Sequence, residues 1–211
     1  MKKFLRDLIV FGPFVLVVYI FLLILWGTSV PKVLNKNLNY ALGAYGHMFS
    51  RIKDVKQLKD VDILFLGSSH AYRGFDTRVF LKEGYKSFNL GSSGQTPVQT
   101  ELLIKRYFDN LNPKTVVLEV YPGMFNNDGV ESSLDIMCND EIRSDLVKMT
   151  FHINDIKTYN TFVYSYYRQF FNLDASFNEQ ITKGDDTYIK SGGYVEPVSY
   201  THLTLPTILR V

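Results

Sequence analysis

The chain has 211 residues, of which 46% are hydrophobic and 21% charged, and its formal net charge is +2. That length predicts one domain with room for an appendage, and the small net charge without a basic stripe excludes a nucleic-acid partner. Cys138 is the only cysteine. An internal disulfide and a paired-cysteine metal motif are therefore both excluded, and we expect neither metal nor cofactor.

An uncharged run from Leu8 to Trp26 dominates the N-terminal region. As a helix this run would span about 28 Å, close to the hydrocarbon thickness of a bilayer. Basic residues precede it and Trp26 ends it, which favours a single span with a cytoplasmic N terminus. We therefore expect residues 1–30 to anchor an extracytoplasmic domain in the membrane. A cleaved signal peptide is the alternative, but no small-residue cleavage site follows.

Residues 31–60 are polar and end in a dense run of charges that begins at Arg51. Ile52, Val55 and Leu58 fall at helical spacing within that run. The sequence predicts a stalk and a lead-in helix whose charges form a solvated face.

Two short apolar strands, each followed by a small polar loop, begin the domain expected over residues 61–197. Ile63–Leu66 is too short for a helix, and Gly67-Ser68-Ser69-His70 follows it directly. Ser87–Leu90 is followed in the same way by Gly91-Ser92-Ser93-Gly94. Such loops at the ends of buried strands are where open α/β sheets place their sites.

The rest of the chain continues this alternation. A helix is predicted over Pro97–Asn110, a strand over Thr115–Val120, mostly helix over 131–175 and a polar loop over Asp174–Gly193. The alternation of strands and helices predicts an α/β fold with a parallel sheet. The aromatic-rich segment Tyr159–Phe171 favours packing over a ligand groove, with a platform for sugar rings or a membrane surface as the alternative.

The two strand–loop units resemble sequence blocks of the SGNH/GDSL hydrolase family. Gly67-Ser68-Ser69 is similar to its first block, and Asn89–Thr96 is similar to its second. The resemblance covers roughly residues 61–125 and implies a three-layer, flavodoxin-like parallel sheet, incomplete in this chain. It implies Ser69 as nucleophile and the backbone N–H groups of Ser69 and Gly94 as oxyanion donors, which would stabilise the charge that develops on an attacked ester carbonyl. Two ordinary strand-to-helix turns are the alternative, since Gly and Ser favour turns and caps.

The third strand departs from the family pattern. The family carries an asparagine just past this strand, where this chain has Gly123, and Asn126 and Asn127 follow. The third oxyanion donor stays open, and we expect Asn126 at the substrate. Membrane-anchored branches of the family that act on cell-envelope polymers depart from the family motif after the third strand in a similar way.

Substrate-lining roles are also expected for the residues around Ser69. These are Ser68, His70 and Arg73, although a surface ion pair between Arg73 and Asp76 is an equal alternative for the arginine.

The general base of the family comes from a late Asp-x-x-His motif, and none of the four histidines fits that spacing. His70 adjoins Ser69 and is expected to be structural or to face substrate, and His152 is expected on a helix surface. Val198–Thr207 resembles a translated sequencing adapter. We therefore expect residues 198–211, with His202, to be artefactual, the Asp–His pair to lie in a longer natural chain, and this fragment to be inactive.

Taken together, the resemblance implies a membrane-anchored serine esterase or O-acyltransferase. The implied substrate is an acylated cell-envelope polysaccharide, and a membrane acyltransferase complex is the implied protein partner. The alternative is a non-catalytic carbohydrate-binding or assembly protein of an envelope polysaccharide complex.

Overall fold

The computed structural model describes residues 2–197, so the expected artefactual segment 198–211 lies outside the described residues. Within this part of the chain the helices are α1 (Lys2–Ser29), α2 (Met48–Val55), α3 (Ser69–Gly74), α4 (Thr77–Lys82), α5 (Pro97–Leu111), α6 (Val130–Asn139), α7 (Ser144–Ile153) and α8 (Ile156–Phe170). The strands are β1 (Ile63–Leu66), β2 (Ser87–Asn89), β3 (Thr115–Leu118), β4 (Thr182–Lys183), β5 (Asp186–Ile189) and β6 (Tyr194–Pro197), and short 3-10 helices cover Lys32–Leu34 and Pro122–Asn126. The fold is mixed α/β with an N-terminal apolar helix.

β1 is the central strand of a parallel sheet with strand order β2-β1-β3. Leu64 and Leu66 pack into the main core with residues of α2, α5 and α6. Phe65 points to the other face, where its ring lies 4.5 Å from that of Phe75, just after α3, and 4.9 Å from that of Phe80 in α4. The strand is buried on both faces, as a parallel sheet between helices requires.

The predicted order of elements in this region is confirmed with small changes of length. β1 has its predicted bounds, whereas β2 and β3 end before the predicted Leu90 and Val120. α5 begins at Pro97 as predicted, because Thr96 and Gln99 form a capping box and proline at the first position needs no N–H partner.

The loop predicted over residues 174–193 is wrong. This region contains β4 and β5, which pair with β6 in a second, antiparallel sheet. Tyr188 and Val195 of this sheet are buried against Tyr72 of α3. Packing on α3 therefore orders strands whose own sequence is polar and weakly periodic.

The segment 31–60 is integrated into the domain rather than standing apart as a stalk. Met48, Ile52 and Val55 of α2 lie in the main core. Arg51, expected on a solvated face, is fully buried. Its guanidinium donates to the carbonyls of Gly46 and Gly91 and lies over the Tyr72 ring, and these partners offset the cost of burying a charge.

α1 is long and apolar enough to cross a bilayer, with a mean hydropathy of 3.0 over an 18-residue window within Lys3–Ser29. Its residues are exposed from Phe4 to Val18. Its C-terminal part packs on α8, where Leu23 and Tyr164 share a small buried cluster.

Candidate functional site

The loop that follows β1 is fixed by Ser68. The Ser68 Oγ accepts a hydrogen bond from the His70 N–H (3.2 Å), which caps α3, and donates to Glu119 Oε2 (2.8 Å). The Ser68 N–H donates to the same carboxylate oxygen at 2.8 Å. Ser68 is only 2% exposed. Capping and Glu119 therefore use the Ser68 hydroxyl inside the protein, and its role in lining the substrate site stays a prediction.

Glu119 is the residue that sequence reasoning missed. Its N–H donates to the carbonyl of Leu66 (2.9 Å), so the hydrogen bonding between β1 and β3 continues one residue past the end of β3. Its side chain then crosses the end of β1, with Oε1 3.6 Å from His70 Nδ1. A Cβ on Gly67 would lie 2.7 Å from Glu119 Oε2, so only glycine permits this approach. The sequence feature that could have identified Glu119 was its position as an acidic residue at a strand end, on the same sheet edge as Gly67.

Ser69 lines an open cavity of about 720 Å³ that also contains His70 and Arg73. The opposite wall comes from the second sheet, and the cavity is completed by Gly74, Tyr194, Glu196 and Pro197. The His70 side chain is 69% exposed, and its ring lies edge-on to Tyr121. The structure thus brings three of the predicted site residues to one cavity.

Ion pairs around this cavity join Arg73 and Asp76 to other residues. Arg73 pairs with Asp186 of β5 at 2.6 Å. Asp76 accepts from the N–H of Arg78 at the start of α4 and pairs with its guanidinium. That guanidinium hydrogen bond lowers the pKa of Asp76. Arg73 therefore ties α3 to the second sheet at the cavity edge.

The loop after β2 packs directly against the loop after β1. The Ser92 N–H donates to the carbonyl of Gly67 at 3.0 Å. A Cβ on Gly91 would lie 2.8 Å from that same carbonyl oxygen. Asn89 Nδ2 donates to the carbonyl of Ala71 in α3 at 2.6 Å. The two loops that the sequence singled out are therefore one packed unit.

Gly94 is the last residue of the second loop and has a φ of +61°. A Cβ at Gly94 would lie 3.3 Å from Asn127 Nδ2. Asn126, the residue expected at the substrate, is exposed at the end of the 3-10 helix. Of the two asparagines, Asn127 is the one whose side chain lies next to Gly94. Among the described residues, the lining of the Ser69 cavity includes neither Gly94 nor Asn126.

Two further histidines lie away from Ser69. His47 is 1% exposed and stacks on Tyr188, and burial lowers its pKa although Glu179 opposes the shift. His152 is exposed on α7 and lines a different cavity with Glu101, so its predicted surface position is confirmed.

Residues 2–197 contain no group of three or more His, Cys, Asp or Glu side chains that could hold a metal ion. Comparison of the chain with protein-family models, curated proteins and solved structures finds no match.

Proposed function

We propose that this chain carries the serine-bearing part of a membrane-anchored SGNH-type esterase or O-acyltransferase. The proposed substrate is an acylated cell-envelope polysaccharide, and a membrane acyltransferase complex is the proposed partner. α1 would span the membrane once with its N terminus in the cytoplasm and would hold the α/β domain on the outer side.

The observation that carries the proposal is the position of Ser69. It begins α3 directly after the central strand of a parallel sheet and lines an open cavity. Sites of open α/β sheets lie at this edge, outside the carboxyl ends of the strands. The second loop packs on the first through Gly91, which is consistent with both family blocks contributing to one site.

In the proposed reaction the Ser69 hydroxyl oxygen attacks the ester carbonyl carbon and its proton passes to a base. Backbone N–H donors, with Ser69 and Gly94 as candidates and Asn127 as the nearest asparagine, would stabilise the oxyanion. Collapse of the tetrahedral intermediate releases the alcohol and leaves an acyl-enzyme. Water or a sugar hydroxyl then takes the acyl group and regenerates Ser69.

The neighbours of Ser69 have distinct proposed roles. Glu119 would hold Ser68 and orient His70, so that the imidazole faces the substrate. His70 is adjacent to Ser69 in a short helix, so we assign the proton-accepting role to an Asp–His pair outside residues 2–197. Arg73, held by Asp186, would contact polar groups of the glycan.

Covalent labelling tests this function. The protein is expressed from its complete gene and treated with a fluorophosphonate probe, alongside Ser69→Ala and the matched control Ser93→Ala. We expect the natural protein and Ser93→Ala to label and to hydrolyse a chromogenic acetyl ester, and Ser69→Ala to do neither. Equal labelling of Ser69→Ala would refute the assignment of the nucleophile.

A non-catalytic glycan-binding role is the second candidate, and an exposed aromatic cluster at the end of α8 favours it. The rings of Tyr166 and Phe170 stack at 6.2 Å, and Phe170 and Phe171 meet edge-to-face at 5.1 Å. All three side chains are at least half exposed, as in a platform for sugar rings. A protein that never labels, yet binds envelope glycan and loses that binding in Phe170→Ala, would support this candidate.

A further inference from the structure

The C-terminal part of α1 is bound to the first turns of α8. Tyr19 Oη donates to Asn160 Oδ1 at 2.5 Å. Leu23 is buried with Tyr164, and a Cβ on Gly27 would lie 2.6 Å from the Tyr164 ring. α1 therefore meets the domain from Tyr19 onwards, within the apolar part of the helix.

The sequence of α1 sets the depth of this contact. Asp7 is the last charge before the apolar run, and Trp26 is the aromatic at its outer end. At 1.5 Å per residue, Tyr19 lies about 17 Å and Trp26 about 27 Å along the helix from Leu8. A bilayer has a hydrocarbon thickness of about 30 Å. Tyr19, and Asn160 with it, would thus lie about 10 Å on the membrane side of the boundary marked by Trp26.

The corner between α7 and α8, residues 151–159, lies next to this contact and carries exposed apolar side chains. Ile156 is one helical turn before Asn160 and is 53% exposed. Phe151 is 66% exposed, and its ring packs 5.7 Å from that of Tyr159. We call these residues the α7–α8 corner.

Asn154, Asp155 and Tyr159 of the corner are hydrogen-bonded within the protein, whereas the buried Thr158 hydroxyl has no hydrogen-bond partner among the described residues. Asn154 Oδ1 accepts from Tyr159 Oη at 2.9 Å, and Asp155 Oδ1 accepts from the N–H groups of Lys157 and Thr158. Asn160 Nδ2 donates to the carbonyl of Asn37 at 2.9 Å. Because these groups already have partners, moving the corner out of water costs less than it would for unpaired groups.

We propose that the α7–α8 corner inserts into the outer leaflet of the bilayer, with lipid as its occupant. This inference rests on the proposal that α1 spans the membrane. Continuity with the α1–α8 contact favours lipid over a second protein, since any neighbour of the corner at that depth must share the membrane. The α/β domain is then held at the surface by two contacts, α1 and the corner, rather than by a flexible stalk.

Spin-label accessibility on the full chain in vesicles of phosphatidylethanolamine and phosphatidylglycerol tests the inference. Cys138 is buried, so labels report only introduced cysteines. Phe151→Cys and Ile156→Cys probe the corner. Leu16→Cys on the exposed part of α1 is the control for lipid, and Leu81→Cys, 65% exposed on α4, is the control for water. Collision rates with oxygen and with a water-soluble nickel chelate are measured at each position.

The expected result is a several-fold lower nickel-to-oxygen collision ratio at both corner positions than at Leu81→Cys, approaching that at Leu16→Cys. Corner labels that match Leu81→Cys while Leu16→Cys reports lipid would overturn the inference and leave the anchor intact. Corner labels protected from both reagents would also overturn it, in favour of contact with protein. If Leu16→Cys itself reports water, the proposed span fails and the inference fails with it.

Discussion

Removal of the Glu119 carboxylate is the perturbation that probes the candidate site most directly. One oxygen of this group accepts from both the N–H and the hydroxyl of Ser68, each at 2.8 Å. Glu119→Ala removes the acceptor from both donors at once. Glu119→Gln keeps a carbonyl oxygen at the same place and removes only the charge.

The size of the effect follows from burial and charge. The Glu119 side chain is 15% exposed, and hydrogen bonds to charged groups contribute about 1.5–3 kcal/mol each when burial shields them. We expect Glu119→Ala to lower the free energy of unfolding by about 2–4 kcal/mol, because the buried Ser68 N–H loses its partner and the Ser68 hydroxyl, as a donor, keeps only its 3.2 Å contact with His70 Nδ1. We expect Glu119→Gln to lower it by about 1 kcal/mol, since neutral hydrogen bonds are weaker.

Urea unfolding in detergent micelles, followed by far-UV circular dichroism, measures this effect. Glu101→Ala is the matched control: Glu101 is exposed and pairs with Lys105 on its own helix, so its loss should cost under about 0.5 kcal/mol. Hydrogen exchange at the Ser68 amide gives a local readout and should accelerate in Glu119→Ala. A Glu119→Ala protein as stable as the Glu101→Ala protein, with unchanged exchange at Ser68, would refute the reasoning.

Two further predictions concern the surroundings of this site. Gly91→Ala would place a Cβ 2.8 Å from the Gly67 carbonyl oxygen, so we expect a loss of about 1–3 kcal/mol in the same unfolding assay. Gly74→Ala, whose Cβ meets nothing within 4 Å, should change stability by less than about 1 kcal/mol; equal losses would contradict the packing argument. Burial raises the pKa of Asp135 to about 8, so the folded state holds a proton that the unfolded state releases, and stability falls as the pH rises from about 4 to about 8. Asp135→Asn should flatten this fall in unfolding measured at several pH values, and a variant with the wild-type slope would contradict the assignment.

The part of the fold closest to Ser69 could be predicted because its signals are local. Ile63–Leu66 is an uninterrupted apolar run that ends at glycine, and both features are properties of the strand itself. The cap of α5 is equally local, since Thr96, Pro97 and Gln99 are neighbours in sequence.

The contacts that complete the site could not be predicted because each joins distant parts of the chain. Arg51 stands in a run of charges that is typical of a solvated helix face, and only the tertiary fold brings the carbonyl of Gly91 to its guanidinium. Strand β5 has no clear periodicity, and Tyr188 is buried because α3 is there to cover it. Long-range packing overrides local pattern in both places.

Three contacts that hold the surroundings of Ser69 come from three different elements. A role of these contacts in positioning the Ser69 hydroxyl can therefore be separated from a role in folding the domain. Glu119 after β3 holds Ser68, Arg51 of α2 holds Gly91, and Asp186 of β5 holds Arg73. The three contacts are not independent, because Arg51 and Arg73 both lie over the Tyr72 ring and the loops of Gly67 and Gly91 pack together, so their stability losses should not simply add. If all three serve to place one reactive hydroxyl, each removal should slow fluorophosphonate labelling of Ser69 beyond what its stability loss explains. A labelling rate that follows only the folded fraction would mean that these contacts build the domain and leave the serine no better placed than any other on its surface.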